Sequence, residues 1–256
     1  MAATDAQSLL TAANCLRCFA ASPTQLDLME LALLQQIQQN GISPPSPPVP
    51  PFYPSLYYQD FESGLEPSGW TVSGSAPVWN YHPALLGNYS LGLGYGTYSY
   101  AAYALSPTQA TLYAFFWFRT NQLPSAQLNV VGFSTPAAFL LYLNSDGTLR
   151  IVESGGSSAS TVGSIAINTT YKIWLRYSIN TGGNNGVGSV AFSTSYPEPT
   201  SGNNFASYSG ASGNTNAPAV RFLNPSSTVF SAGAQFVFDH FGLDTTDSMG
   251  NGWGGN

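Results

Sequence analysis

The chain has 256 residues, of which only 7% are charged and 43% are hydrophobic, and its formal net charge is −6. Ordinary globular proteins are about 25% charged, so Ser, Thr, Asn, Gln and Gly must fill the solvent-facing positions here. Six basic residues scattered among twelve acidic ones leave no basic stripe for a nucleic acid, and no run approaches the apolar length of a membrane-spanning helix.

Composition changes abruptly at a proline-rich run, residues 43–51. Before it Phe19 is the sole aromatic; after it come all the other aromatics and every glycine but Gly41. The division predicts a helical segment at 1–41, a linker at 42–56, a β body at 57–246 and a Gly-rich tail at 247–256. Such an order is a tethering layout, in which one end holds on and the other is displayed.

Thr4 and Gln7 read as a capping box, followed by Leu9, Leu10, Ala13, Leu16 and Ala20 at helical spacing. Ser22 and Pro23 start a second helix, with Leu26, Met29, Leu33 and Ile37 as its main stripe and Gly41 as its stop. Two helices of this length bury too little surface to be stable alone. The surplus apolar face therefore predicts self-association or docking onto another protein. Cys15 and Cys18 share one face of the first helix. Buried thiols, a redox pair, a zinc site shared between subunits and intersubunit disulfides are four readings, of which burial best fits a helix interior. Residues 8–21 lack the basic start of a secretion signal and are interrupted by Arg17, so the sequons at Asn88 and Asn168 carry no glycosylation message.

The proline run predicts a polyproline II rod of about 3 Å per residue. Beyond it, short apolar or alternating runs predict strands over residues 57–61, 111–120, 128–133, 139–143, 148–152, 171–178, 187–193 and 235–243. Asn144-Ser145-Asp146-Gly147 reads as a hairpin turn. The segment 111–120 is apolar almost throughout, as expected of a central strand covered on both faces. Strands at this density with no intervening helix predict an antiparallel sandwich.

Gln59-Asp60-Phe61-Glu62 with Trp70, the stretch from Phe116 through Asp146-Gly147-Thr148-Leu149-Arg150, Trp174-Leu175-Arg176-Tyr177 and Phe238-Asp239-His240-Phe241 together resemble the concanavalin A-like, or laminin-G-like, jelly rolls. The resemblance covers most of 57–246 and implies a jelly-roll β-sandwich. The head, with Leu9-Leu10, Cys15-x-x-Cys18, a Ser-Pro helix start and a Leu-rich helix, resembles segments of tailed-bacteriophage structural proteins. It implies a virion protein, a head or tail decoration or short fibre, that docks by its helices on other virion proteins and stands at the virion surface.

Catalytic signals are weak. Glycoside hydrolysis needs two carboxylates at defined separation. The acids Asp60, Glu62 and Glu66 do not match the Glu-x-Asp-x-Glu strand of the endoglucanases that share the resembling fold. Asp239 and His240 are strand neighbours, which point to opposite faces. No enzyme is expected. Asp60, Glu62 and Asp239 form a candidate calcium site, because the first and last strands adjoin in the resembling family and calcium takes clustered oxygens. Tyr95, Tyr98, Tyr100 and Trp79, with Tyr81 beside them, are candidate glycan-binding rings. The alternative to a virion role is a bacterial carbohydrate-binding or adhesive module assembled through its helices.

Overall fold

The computed structural model describes residues 56–97, 99–133, 139–153, 157–179, 186–195, 199–210 and 217–246. The helical segment, its stripe Leu26, Met29, Leu33 and Ile37, the pair Cys15 and Cys18, the proline linker, Tyr98 and the tail all lie outside them. The regular structure of the described residues is β throughout. In chain order the strands are β1 (Tyr57–Gln59), β2 (Trp70–Ser73), β3 (Val78–Tyr81), β4 (Ser90–Gly94) and β5 (Tyr100–Gln109). They continue with β6 (Thr111–Thr120), β7 (Leu128–Phe133), β8 (Phe139–Leu143), β9 (Thr148–Glu153) and β10 (Ser158–Ser164). The last five are β11 (Tyr171–Ser178), β12 (Gly186–Ser193), β13 (Phe205–Gly210), β14 (Ala217–Leu223) and β15 (Gln235–Asp244).

Two antiparallel sheets form a sandwich. The larger runs β13-β12-β11-β6-β15-β4-β3, with β1 also paired to β15; the smaller runs β10-β9-β8-β7-β14-β5-β2. Between β4 and β7, and again from β13 to β15, consecutive strands alternate between sheets, the crossing pattern of a jelly roll. The expected sandwich is thus present, with β6, β7, β8 and β11 spanning the expected residues. The first expected strand ends early, at Gln59, ahead of Phe61, which takes a left-handed conformation (φ 61°). The turn 144–147 also forms, closed by Asn144 N–H donating to Thr148 O at 3.0 Å with Gly147 at φ 83°.

Alternation along the strands builds the core. Phe116, Phe118, Phe222, Phe236, Phe238 and Phe241 are all buried between the sheets, with Trp70 stacked on Phe222 at 5.9 Å and Phe238 tilted against Phe222 at 4.6 Å. The opposite parity of β6 and β11, with β12 beside them, carries a second buried cluster of Tyr113, Phe115, Trp174 and Ala191. Both faces of β6 are therefore covered, as its composition requires.

Two strands break the alternation, and the breaks decide which of their side chains reach the core. Val78 pairs with Gly92 but Tyr81 with Ser90, so β3 carries one extra residue. In β15, Asp239 pairs with Trp117 and Gly242 with Phe115, again one residue too many. His240 absorbs that bulge at φ 44°, and Phe238 and Phe241, three apart, consequently both enter the core.

Candidate functional site

The outward positions of the larger sheet carry a cleft of about 330 Å³ lined by Tyr81, Pro83, Arg119, Asn121, Asn168, Gln235 and Val237. Its floor follows from strand register. Val237 of β15 lies between Arg119 of β6 and Gly92 of β4, one row across three strands. Gly92 is required there. A Cβ on it would come within 2.5 Å of Cδ2 of the Tyr81 ring, so the missing side chain is what lets Tyr81 lie across β4. The β3 bulge explains why Tyr81 is available at all. It leaves Trp79 packed on the core while Tyr81 turns to the outward face.

Polar groups close the cleft. The Tyr81 hydroxyl donates to Gln235 Oε1. Asn121 is held from both ends, its Nδ2 donating to Gly233 O at 2.9 Å and its Oδ1 accepting Gln235 N–H at 2.9 Å. Asn168, at φ 58°, is fixed by its backbone N–H to Thr120 O at 2.7 Å. Arg119 Nη2 donates to Pro83 O at 3.2 Å. A ring, three carboxamides and a guanidinium around an apolar floor can hold a hydroxyl-rich ligand by stacking and hydrogen bonds. Among the described residues the lining contains no carboxylate, histidine, serine or cysteine.

The ring residues expected from sequence are dispersed. Trp79 is stacked on Phe61 at 6.2 Å and edge-on to Trp70 at 5.6 Å, which makes it a core residue rather than a sugar platform. Tyr95 is 38% exposed after the end of β4, whereas Tyr100 lies on β5 in the other sheet, with the Arg221 guanidinium 4.8 Å over its ring. Of the described aromatic candidates, Tyr81 alone lines the cleft. Arg119, Asn121, Asn168 and Gln235 carry no local motif and come together through register alone.

The three carboxylates of the expected calcium site are taken up by hydrogen bonds. Glu62 accepts Asn88 N–H at 2.9 Å, Asn88 Nδ2 at 2.9 Å and Tyr89 N–H at 3.3 Å, and Asp60 Oδ1 accepts Glu62 N–H at 3.1 Å. Asp239 Oδ2 accepts Leu86 N–H at 2.9 Å and Ser90 Oγ at 2.8 Å, while its Oδ1 accepts His240 N–H at 2.8 Å. Glu62 and Asp239 are thus committed to the loop before β4 and to the β15 bulge, and Asp60 to the turn after β1. Among the described residues no three His, Cys, Asp or Glu side chains group to hold a metal. Asp239 is fully buried, and that burial pushes its carboxyl up to about 7 despite the opposing pull of its hydrogen bonds. His240 is held below its ordinary value by burial, and its Nδ1 pairs with the Tyr58 hydroxyl at 2.6 Å. The imidazole therefore faces Tyr58 and not Asp239. Another buried carboxylate, Glu153 on β9, accepts the Tyr208 hydroxyl of β13 at 2.8 Å and ties the two sheets together. Burial raises the Tyr208 and Tyr177 phenols well above their ordinary value, helped by the adjacent Glu153.

The fold and cleft define an antiparallel β-sandwich with a polar, aromatic-edged hollow on one sheet. Neither a protein-family model nor a curated protein sequence matches this chain. Solved structures do share its fold. Cellulose induced protein, Cip1, superposes with a TM-score of 0.54 at 14% identity, over 74% of this chain and 97% of that one. An engineered GH43 glycoside hydrolase with endo-xylanase and exo-arabinofuranosidase activity gives 0.51 at 9% identity, over 80% of this chain and 44% of the enzyme. The botulinum neurotoxin serotype C1 binding domain gives 0.47 at 11% identity, over 70% of this chain and 44% of that domain. The chain therefore spans less than half the length of the hydrolase and of the toxin domain.

Proposed function

We propose that this protein is a glycan-binding β-sandwich module that grips saccharide without cleaving it. The cleft carries the reading. Its Tyr81 ring, the carboxamides of Asn121, Asn168 and Gln235 and the Val237 floor supply a stacking face and paired donors and acceptors, with no carboxylate in the lining among the described residues. The fold also supports it, since it is shared with a glycoside hydrolase. A glycan array probed with the full chain tests the reading. Saccharide binding that is lost in Tyr81→Ala, with the melting transition retained, is the expected result; silence across the array, or binding indifferent to Tyr81→Ala, would refute it. Polysaccharide incubated with the protein should release no reducing ends.

The helical segment and proline spacer of the sequence favour a further proposal about setting. The module is displayed on a larger assembly, the virion of a tailed bacteriophage, by residues 1–41 and through self-association or docking on other virion proteins. That proposal rests on the order of head, spacer and body and on the resemblance of the head. Stoichiometric presence in purified particles is expected, and absence from intact particles would sink it.

A further inference from the structure

We infer that the cleft selects a saccharide bearing a carboxylate, held by Arg119; this rests on the glycan-binding reading and specifies its ligand. The inference begins with scarcity. The chain has six Lys and Arg residues and a net charge of −6, so a cation in a binding cleft is an uncommon placement.

The other described cations are engaged elsewhere. Lys172 Nζ lies 4.3 Å over Phe115 and 5.1 Å over Trp174, and is fully buried. Arg176 stands over Tyr113 at 5.4 Å and Arg221 over Tyr100 at 4.8 Å. Arg150 donates to Gln127 Oε1 and Ser158 Oγ.

Arg119 differs in what it meets. Among the described residues its side-chain hydrogen bond is the one from Nη2 to Pro83 O, and no carboxylate lines the cleft to neutralise it. A guanidinium presents five N–H donors in a planar fork, so most of that fork remains for a ligand. Backbone register fixes its place, directly beside Val237 and one strand further from Gly92 and the Tyr81 ring. The carboxamides and the Tyr81 hydroxyl are neutral and partly engaged with one another, so an uncompensated fixed charge adds recognition of an anion. The planar fork matches the two oxygens of a carboxylate. A sugar stacked on Tyr81 with its carboxylate turned toward Arg119 would use both walls of the cleft.

The test uses the full chain and matched saccharides: sialyllactose beside lactose, and trigalacturonate beside its methyl ester. In at least one pair the acid should bind roughly tenfold to hundredfold more tightly than its neutral partner, as expected for charge-assisted hydrogen bonds. Raising salt to about 0.5 M should narrow that gap. Arg119→Gln should bring the two members of the pair to within about threefold, by weakening the acid far more than its neutral partner. Arg119→Lys, which retains the charge and loses the fork, should keep only part of the preference. Equal binding of acid and neutral partner, still lost in Tyr81→Ala, overturns the inference and leaves the glycan-binding reading standing. An acid preference that survives Arg119→Gln also overturns it. No binding by any member of either pair, together with a silent array, sinks both.

Discussion

Replacing Asp239 by Asn should remove a pH dependence of stability that the buried bulge imposes. Its carboxyl moves from 3.8 to about 7 on folding, chiefly because burial penalises the charged form. Between those values the folded protein holds a proton that the unfolded chain has released. Stability therefore falls as pH rises through this window, the opposite of a salt-bridged carboxylate. A rise of about three pK units corresponds to roughly 4 kcal/mol lost between pH 4 and pH 8. His240 works in the other direction, since its lowered pKa makes folding more favourable as pH rises toward its ordinary value. Raw wild-type profiles mix the two, whereas the difference between wild type and Asp239→Asn cancels the histidine. Asn cannot accept at both oxygens from Leu86, Ser90 and His240, so a pH-independent cost of about 1–3 kcal/mol is expected as an offset. The slope is the diagnostic quantity. Urea denaturation of both proteins from pH 4 to pH 8 should show Asp239→Asn gaining roughly 4 kcal/mol relative to wild type, equivalent to about 8–16 °C in melting temperature for a domain of this size. Parallel profiles would mean that Asp239 is ionised in both states and that its three hydrogen bonds outweigh its burial.

Gly92→Val should drive Tyr81 off β4, lowering stability by about 1–3 kcal/mol and reducing saccharide affinity together, measurable by calorimetry and by titration on one sample. Tyr208→Phe removes the hydroxyl that Glu153 accepts across the sandwich, and thermal unfolding should report a loss of about 1–3 kcal/mol. Chelator should leave the melting temperature unchanged, because Asp60, Glu62 and Asp239 are occupied by N–H and O–H donors; a drop on adding EDTA would restore the calcium site. Leu33→Asp should abolish assembly while leaving the melting transition of the β body in place, and assembly of a chain lacking residues 1–41 would show that the sandwich makes the contacts itself.

Strands with strong apolar runs were legible because burial on one or both faces writes itself into composition. Thr111–Thr120, Phe139–Leu143 and Tyr171–Ser178 coincide with the expected segments for that reason. Strands such as β4 (SLGLG), β10 (SASTVGS) and β13 (FASYSG) are not among the expected segments, since Gly and Ser dominate them. Their strand character comes from neighbours. β10 and β13 approach at the sandwich edge, where Val162 and Gly163 N–H groups both donate to Asn203 O at 3.0 and 2.7 Å. Small residues suit that closeness, as a Cβ on Gly163 would meet Asn204 Oδ1 at 2.2 Å.

The candidate site was less legible, for a related reason. Period-two alternation assigns Trp79 and Tyr81 to the same face, and makes Asp239 and His240 point apart. The first assignment fails at a bulge, and a bulge is decided by how a strand must pair with its neighbours rather than by its own residues. In β3 the extra residue gives Trp79 to the core and Tyr81 to the cleft. In β15 it lets Phe238 and Phe241 both enter the core, and His240 takes the left-handed position while its N–H binds the Asp239 carboxylate. The same strand thus provides the Val237 floor of the cleft and, two residues on, the buried carboxylate beneath the loop that precedes β4. That loop also supplies Pro83, whose carbonyl holds Arg119. One short segment, residues 82–89, is thereby held at Pro83, Leu86 and Asn88 by Arg119, Asp239 and Glu62. Of the carboxylates suggested by sequence to hold calcium, Glu62 and Asp239 accept from the segment that carries Pro83.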